Sequence, residues 1–172
     1  MRKIFSIAAV ACVATFALSA CDNGEKAKQE AAAAAAAQTP AVIPAPTTGD
    51  KTQWKQYLVS VVTANMQGVK STHPYMYFVP GGDDDASKGD RANQLENVKT
   101  TVARGVLPGN MLAFGGPDST MTAQMVTDAF KDAQAGSFKD VVVLFVGKPA
   151  DGDTVKQALA ASGADVRVVE AK

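Results

Sequence analysis

The chain changes at residue 50 from a low-complexity sequence to an alternation of helical and strand patterns. Apolar side chains then recur at the i, i+3, i+4, i+7 spacing of an amphipathic helix, which Asp50 is placed to cap. They are Trp54, Tyr57, Leu58, Val61, Val62, Met66 and Val69. The aromatic run at 75–79, bounded by Pro74 and Pro80, predicts a first strand.

The alternation continues to the end of the sequence. Helices are predicted over 87–104, 119–133 and 151–162, and strands over 110–114, 141–146 and 165–170. Connections of this length join parallel neighbours by right-handed crossovers. We therefore predict an α/β fold, a small three-layer sandwich around a four-stranded, mostly parallel sheet. Its order is a helix, three strand–helix pairs and a final strand.

The first 21 residues follow the pattern of a secretion signal. Arg2 and Lys3 precede the apolar stretch 4–18, which leads into Leu18-Ser19-Ala20-Cys21. The stretch is shorter than the roughly 20 residues that cross a bilayer. Its last four residues resemble the lipobox of bacterial lipoproteins. The resemblance implies acylation of Cys21, cleavage just before it and anchoring in the cell envelope on the periplasmic side. An ordinary cleaved signal and an uncleaved helix are the alternatives.

Asp22 and the sequence after it bear on where the protein is held. In enteric members of the lipoprotein family, aspartate at this place favours the inner membrane, so the resemblance favours that membrane here. The segment 21–49 is rich in alanine and proline, which is typical of a disordered tether. We expect a signal peptide at 1–20, a lipidated tether at 21–49 and one domain at 50–172.

Charge and cysteine content exclude several classes of function. Loss of Arg2 and Lys3 with the signal leaves 15 basic against 17 acidic residues, a net charge of −2. This balance predicts no nucleic-acid partner. Cys12 lies in the signal and Cys21 is expected to carry lipid, which excludes disulfides, thiol catalysis and cysteine zinc sites from the domain. His73, the only histidine, precedes the first strand, so a Ser-His-Asp relay with the loops at the other edge is disfavoured.

Glycines and charged residues follow three of the predicted strands. The carboxyl ends of parallel strands meet at one edge of a sheet, where ligands usually bind. We predict ligand contacts there from Gly81, Gly82, Gly115, Gly116 and Lys148. Carboxylate oxygens suit hard divalent cations, so a metal site is predicted from Asp83, Asp85 and Asp118. The competing interpretation is that Asp83–Asp85 cap one helix, and that Asp118 and Ser119, or Asp151 and Asp153, cap later ones.

The acidic run after the first strand resembles the opening of an EF-hand loop at Asp83, Asp85 and Ser87. It departs from that pattern at Lys88, where a glycine belongs, and at Gln94, where a glutamate belongs.

No catalytic residue is assigned. We expect a lipid-anchored, non-enzymatic interaction or accessory module with an envelope protein as partner and no cofactor apart from the covalent lipid. A divalent-metal-dependent hydrolase or phosphatase and a small-ligand carrier are the alternatives.

Overall fold

The computed structural model describes residues 41–172, which form one sheet with helices on both faces. The helices are α1 (Lys51–Ala64), α2 (Asp85–Arg104), α3 (Ser119–Phe130) and α4 (Pro149–Leu159), the last continued by a 3-10 turn (Ala160–Ser162). The strands are β1 (Tyr75–Phe78), β2 (Met111–Gly115), β3 (Val142–Val146) and β4 (Asp165–Val169). All neighbouring strands are parallel. The predicted α/β sandwich is confirmed. The signal, Cys21 and the tether up to residue 40 lie outside the described residues.

The two faces of the sheet carry separate apolar cores. On one face, α2, α3 and α4 cover Leu112, Phe114, Val143 and Phe145. On the other, α1 covers the alternate residues Met111, Ala113, Val142 and Leu144. Successive side chains of a strand point to opposite faces, and both central strands are buried along their whole length. This double burial explains their continuous apolar sequences.

The strands lie in sequence order, β1-β2-β3-β4. Right-handed crossovers that always advance in one direction place all three connecting helices on the same face. The helix that precedes the first strand is left to cover the opposite face. Because the strand order never reverses, the sheet has no topological switch point, where doubly wound folds usually open their binding crevice. Any site at the carboxyl edge must therefore be built from the loops and from the chain around α1.

The first helix is shorter than the predicted apolar stripe. Met66 and Val69 were expected on its face, but α1 stops at Ala64. The Asn65 side chain donates to the Val61 carbonyl at 2.7 Å, and Arg167 of β4 donates to the Asn65 carbonyl at 2.9 Å. These bonds satisfy carbonyls that the end of a helix leaves without partners. Met66 and Val69 still pack against the α1 side of the core from the turn that follows.

The packed chain begins a few residues before Asp50, where the sequence placed the domain boundary. Ala45 packs against the core under α1, and its N–H donates to the carbonyl of Lys172. The indole N–H of the buried Trp54 donates to the carbonyl of Thr48 at 2.8 Å. The segment 45–48 is thus fixed beside α1 and the C-terminal residues, close to the carboxyl edge of the sheet.

Within residues 41–172, every helix falls short of the length and apolarity required for a bilayer span.

Candidate functional site

An open crevice of about 440 Å³ lies at the carboxyl edge of the sheet. We call it the carboxyl-edge crevice. Its walls are the residues that follow three strands, at 116–120, 147–148 and 170–171, together with Ala45, Pro46 and Trp54. Of the residues predicted to contact ligand, Gly116 and Lys148 line this crevice, whereas Gly81 and Gly82 line a neighbouring depression. Segment 45–46, expected in the tether, supplies part of the wall.

Ser119 joins two walls of the crevice. Its hydroxyl accepts from the backbone N–H of Lys148 at 2.7 Å and donates to the Asp151 carboxylate at 2.5 Å. These bonds connect the first residue of α3 to the first turn of α4. Gly147 permits the approach, because a Cβ added there would lie 2.5 Å from the Ser119 oxygen. The start of α4 is thereby held against the start of α3.

The acidic run after β1 builds the start of α2. Asp84, not Asp83 or Asp85, is the N-cap: its carboxylate accepts from the Ser87 N–H at 2.9 Å and from the Ser87 hydroxyl at 2.6 Å. These hydrogen bonds, that from the hydroxyl first, hold the pKa of the Asp84 carboxyl below its usual value. Asp85 is the first residue of the helix, and Asp83 borders a separate depression beside Arg91.

Asp118 caps α3 and so serves the scaffold too. Its carboxylate accepts from the Met121 N–H at 2.9 Å, while its carbonyl accepts from the N–H and the hydroxyl of Thr122. Among residues 41–172, no three histidine, cysteine, aspartate or glutamate side chains are grouped as a metal site would require. The predicted set of Asp83, Asp85 and Asp118 is therefore not assembled there. The capping interpretation holds for Asp118, as it does for Asp50 at the start of α1.

The predicted ligand-binding glycines allow close packing within the edge. A Cβ on Gly81 would lie 2.8 Å from the Pro117 ring, and one on Gly115 would lie 2.6 Å from the Leu58 side chain. Gly116 is the most confined, because its Cβ would lie 2.0 Å from the Val79 carbonyl oxygen. Gly82 has a φ of +90°, a conformation that side-chain-bearing residues rarely adopt. Each of these glycines is thus required by the scaffold itself.

Lys148 differs from the other charged residues around the crevice. It is exposed and stands at the N-cap position of α4, with no side-chain cap. Within residues 41–172 it forms no ion pair, whereas Glu170 across the crevice pairs with Lys172 at 2.8 Å. The hydrogen bond that Lys172 donates to that carboxylate raises the pKa of the Lys172 ammonium. Lys148 therefore leaves a positive charge at the mouth of the crevice for a ligand or partner.

Sequence reasoning missed three residues that shape this edge. Ser119 and Asp151 were assigned to capping, but α4 begins at Pro149 and Asp151 instead accepts from Ser119. Arg91 donates to the carbonyls of Pro80 at 3.0 Å and of Gly82 at 2.6 Å, which fixes the loop after β1. Arg91 lies nine or more residues from these acceptors, so the sequence holds no local signal for the contact.

His73 lies before β1, away from the loops that line the carboxyl-edge crevice. It is exposed, and its Nδ1 is 2.9 Å from the neighbouring Thr72 hydroxyl. Parallel strands place their amino ends at the edge opposite their carboxyl ends. His73 therefore cannot act as a general base for the Ser119 hydroxyl.

Comparison with known proteins gave no match to a protein-family model, to a curated protein or to a solved structure.

Proposed function

We propose that this chain is a lipid-anchored module of the bacterial envelope that faces the periplasm and binds a partner at its carboxyl-edge crevice without chemical catalysis. The observation that carries the proposal is that the carboxylates around this edge are engaged within the fold of residues 41–172, whereas its lysine is not. Asp84 and Asp118 cap helices, and Asp151 accepts from Ser119. Lys148 is left as the charged group at the mouth that no side chain of residues 41–172 neutralises.

The lysine at the crevice mouth, unpaired within residues 41–172, favours an acidic partner, because the two acidic residues of the lining, Asp118 and Glu170, are engaged by the Met121 N–H and by Lys172. Lys148 is exposed, and so is the neighbouring Thr120, whose hydroxyl donates to Asp151 at 3.5 Å. An acidic group of a partner would gain a charge-assisted hydrogen bond from the lysine, which is stronger than a neutral one. A periplasmic protein that presents a carboxylate to this edge would fit that chemistry. The anchor on Cys21 would hold the module near its partners, since two acyl chains already give stable attachment.

Fractionation of the Cys21→Ser variant tests the anchor. We expect the unchanged chain in the membrane fraction, with an intact mass that includes the acyl chains and lacks residues 1–20. The variant should appear in the soluble periplasmic fraction or remain unprocessed. Asn23→Ser, two residues further along, is the matched control and should stay with the membrane. An unmodified Cys21 on a chain that retains its first 20 residues would refute the anchor.

A photo-crosslinking amino acid tests the binding face. It is placed at Thr120, which is exposed beside the crevice, or at Gln157, which is exposed on α4 outside it. In envelopes of the producing cells, Thr120 should give a discrete adduct, and Gln157 should not. Lys148→Glu should reduce the adduct about tenfold, whereas Lys156→Glu should leave it unchanged. Equal adducts from both positions, or none from Thr120, would contradict the proposal.

The volume of the crevice favours a second candidate function, the carriage of a small polar ligand. Pockets for small molecules enclose roughly 300–1,000 Å³, and the carboxyl-edge crevice encloses about 440 Å³. Native mass spectrometry of the protein purified from its host would detect such a ligand as a constant added mass. Loss of this mass in Lys148→Glu would locate the ligand, and a bare protein mass would argue against this function.

Calorimetry decides the metal-dependent hydrolase alternative. Mg²⁺, Ca²⁺ and Mn²⁺ are titrated in turn into the purified protein and into its Asp83→Asn variant. Asp83 borders the depression beside Arg91 and does not cap a helix, so the substitution should leave the fold intact. If one cation gives binding heat with the unchanged protein and none with the variant, the hydrolase or phosphatase alternative is supported. Because the carboxylates of Asp84 and Asp118 already accept backbone N–H groups, we expect no saturable heat.

A further inference from the structure

A groove with unlike charges on its two sides runs between α2 and α3. We call it the α2/α3 groove. Its two halves enclose about 360 and 520 Å³. Apolar side chains form the floor: Leu95 and Val102 from α2, Met121 and Met125 from α3, and Ala133 from the turn that follows. The groove lies on the three-helix face, apart from the carboxyl-edge crevice.

The charged residues beside the groove are basic on the α2 side and acidic on the α3 side. The α2 side contributes Arg91, Lys99 and Arg104 and no acidic residue of that helix. The α3 side contributes Asp128 and Asp132 and no basic residue. Asp83, from the loop before α2, lies at one end of the groove.

Several of these charges have no ion partner of their own. Arg91 already donates to two loop carbonyls, and Lys99 makes only an exposed i, i+3 pair with Glu96. Within residues 41–172, Arg104, Asp128 and Asp132 form no ion pair at all. A surface that carries one sign on each side of an apolar floor matches a partner with the reverse arrangement.

We propose that the α2/α3 groove is the interface of a two-fold symmetric dimer of this chain. The surface is complementary to itself, because a two-fold interface apposes the same patch on both copies. A symmetry axis along the groove sets α2 of one copy over α3 of the other, and so basic side over acidic side. An axis across the groove would set α2 on α2, with like charges facing, and is disfavoured.

The same geometry names the contacts. Lys99 and Asp132 line the same half of the groove. An axis along the groove keeps each residue at its own level, so Lys99 meets the partner's Asp132. In the other half, Asp128 meets the α2 side of the partner. The pairs form twice, once on each side of the axis.

The size of the face predicts a weak dimer. Helix α2 has 20 residues, which gives a length of about 30 Å at 1.5 Å per residue. Helix α3 has 12 residues and is about 18 Å long, so the two helices, each about 10 Å wide, cover roughly 480 Å² per copy. The total of about 1,000 Å² is below the standard size of a stable interface and in the range of weak, transient ones. We therefore expect dissociation in dilute solution and dimers where copies are concentrated.

Disulfide trapping in the producing cells tests the predicted contact with the full chain. Two differently tagged copies are expressed together, one with Lys99→Cys and the other with Asp132→Cys, and a mild oxidant is added. We expect a mixed disulfide that joins the two tags. The control replaces Lys99→Cys by Lys156→Cys, since these lysines are similarly exposed, at 43% and 50%. Copies without an introduced cysteine give the background from Cys12 and Cys21.

Charge reversal separates this interface from a failure to fold. Lys99→Glu or Asp132→Lys alone should lower the recovery of one tagged copy with the other about tenfold. Both changes on the same chain restore opposite charges across the axis and should restore recovery. Lys156→Glu should have no effect. A mixed disulfide no stronger than that of the control pair, or a double variant as weak as the single ones, would overturn the dimer.

Discussion

The substitution Gly116→Ala tests whether this glycine serves the scaffold or a ligand. Gly116 follows β2, next to the end of β1, where the Val79 N–H donates to the Gly115 carbonyl at 2.9 Å. An alanine Cβ would lie 2.0 Å from the Val79 carbonyl oxygen and 3.0 Å from its carbon. Backbone atoms cannot rotate away as a side chain can. The ends of the two strands must therefore move apart by more than an ångström, even though Val79 is fully buried.

The cost follows from these contacts. Overpacking in a close-packed interior costs about 1–3 kcal/mol. Strain on the Val79–Gly115 hydrogen bond adds about 0.5–1.5 kcal/mol. We expect Gly116→Ala to lower the free energy of unfolding by about 2–4 kcal/mol, a large share of the 5–15 kcal/mol typical of a domain. Such a loss would occur without any ligand.

Gly89→Ala is the matched control, because the chemical change is the same and the surroundings differ. Gly89 lies within α2, is exposed and has no atom within 4 Å of an added Cβ. Alanine is preferred to glycine inside a helix by about 0.8–1.0 kcal/mol. This variant should therefore be more stable than the unchanged chain.

Urea unfolding followed by circular dichroism measures both effects. With a slope of about 2 kcal/mol/M, the middle of the typical range, the midpoint should fall by about 1–2 M for Gly116→Ala and rise by about 0.4–0.5 M for Gly89→Ala. A loss below 1 kcal/mol for Gly116→Ala, or a destabilising Gly89→Ala, would refute the packing argument. If Gly116→Ala were as stable as the unchanged chain but no longer gave the photo-crosslinked adduct with the partner, Gly116 would be assigned to the binding site instead.

Three further predictions concern single side chains. Burial raises the pKa of Tyr77, so its stabilising contribution is complete below about pH 10 and is lost as pH rises through the folded-state value. Tyr77→Phe should flatten the alkaline fall in stability seen in urea titrations. Ser119→Ala leaves the Lys148 N–H without its acceptor and should cost about 1–2 kcal/mol in the same assay. The lowered pKa of Asp84 stabilises the fold above about pH 4 and stops doing so at lower pH. Asp84→Asn should therefore weaken the acid dependence of the melting temperature, and an unchanged profile would contradict its capping role.

The existence and order of the helices and strands could be predicted from the sequence because they depend on local periodicity. The unbroken apolar run at 141–146 is required by burial on both faces, and β3 lies there, at Val142–Val146. The end of α1 could not be predicted, because it depends on a bond from Arg167 to Asn65, 102 residues apart. The start of the packed chain was missed for the same reason: Ala45 is held by the carbonyl of Lys172.

The sequence predicted a candidate site at the carboxyl edge of the sheet, where the structure has a crevice, and partly different residues shape that edge. Parallel strands bring their carboxyl ends together, so the sequence alone placed Gly116 and Lys148 around one crevice. The individual roles depend on distances of a few ångströms between loops. Asp84 rather than its neighbours became the cap, and Ser119 reached Asp151 instead of capping its own helix.

The alternation of apolar periods, the lack of thiols in the domain and the lipobox-like segment are properties of the linear chain, and the sequence alone determined them. Only the tertiary structure decided which carboxylates support helices, how closely Gly116 approaches Val79, and that unlike charges line the two sides of the α2/α3 groove. The physical reason is the separation along the sequence between the residues that interact. Helix and strand patterns arise between neighbours within a few positions, whereas loop contacts and grooves join residues that only the folded sheet brings together.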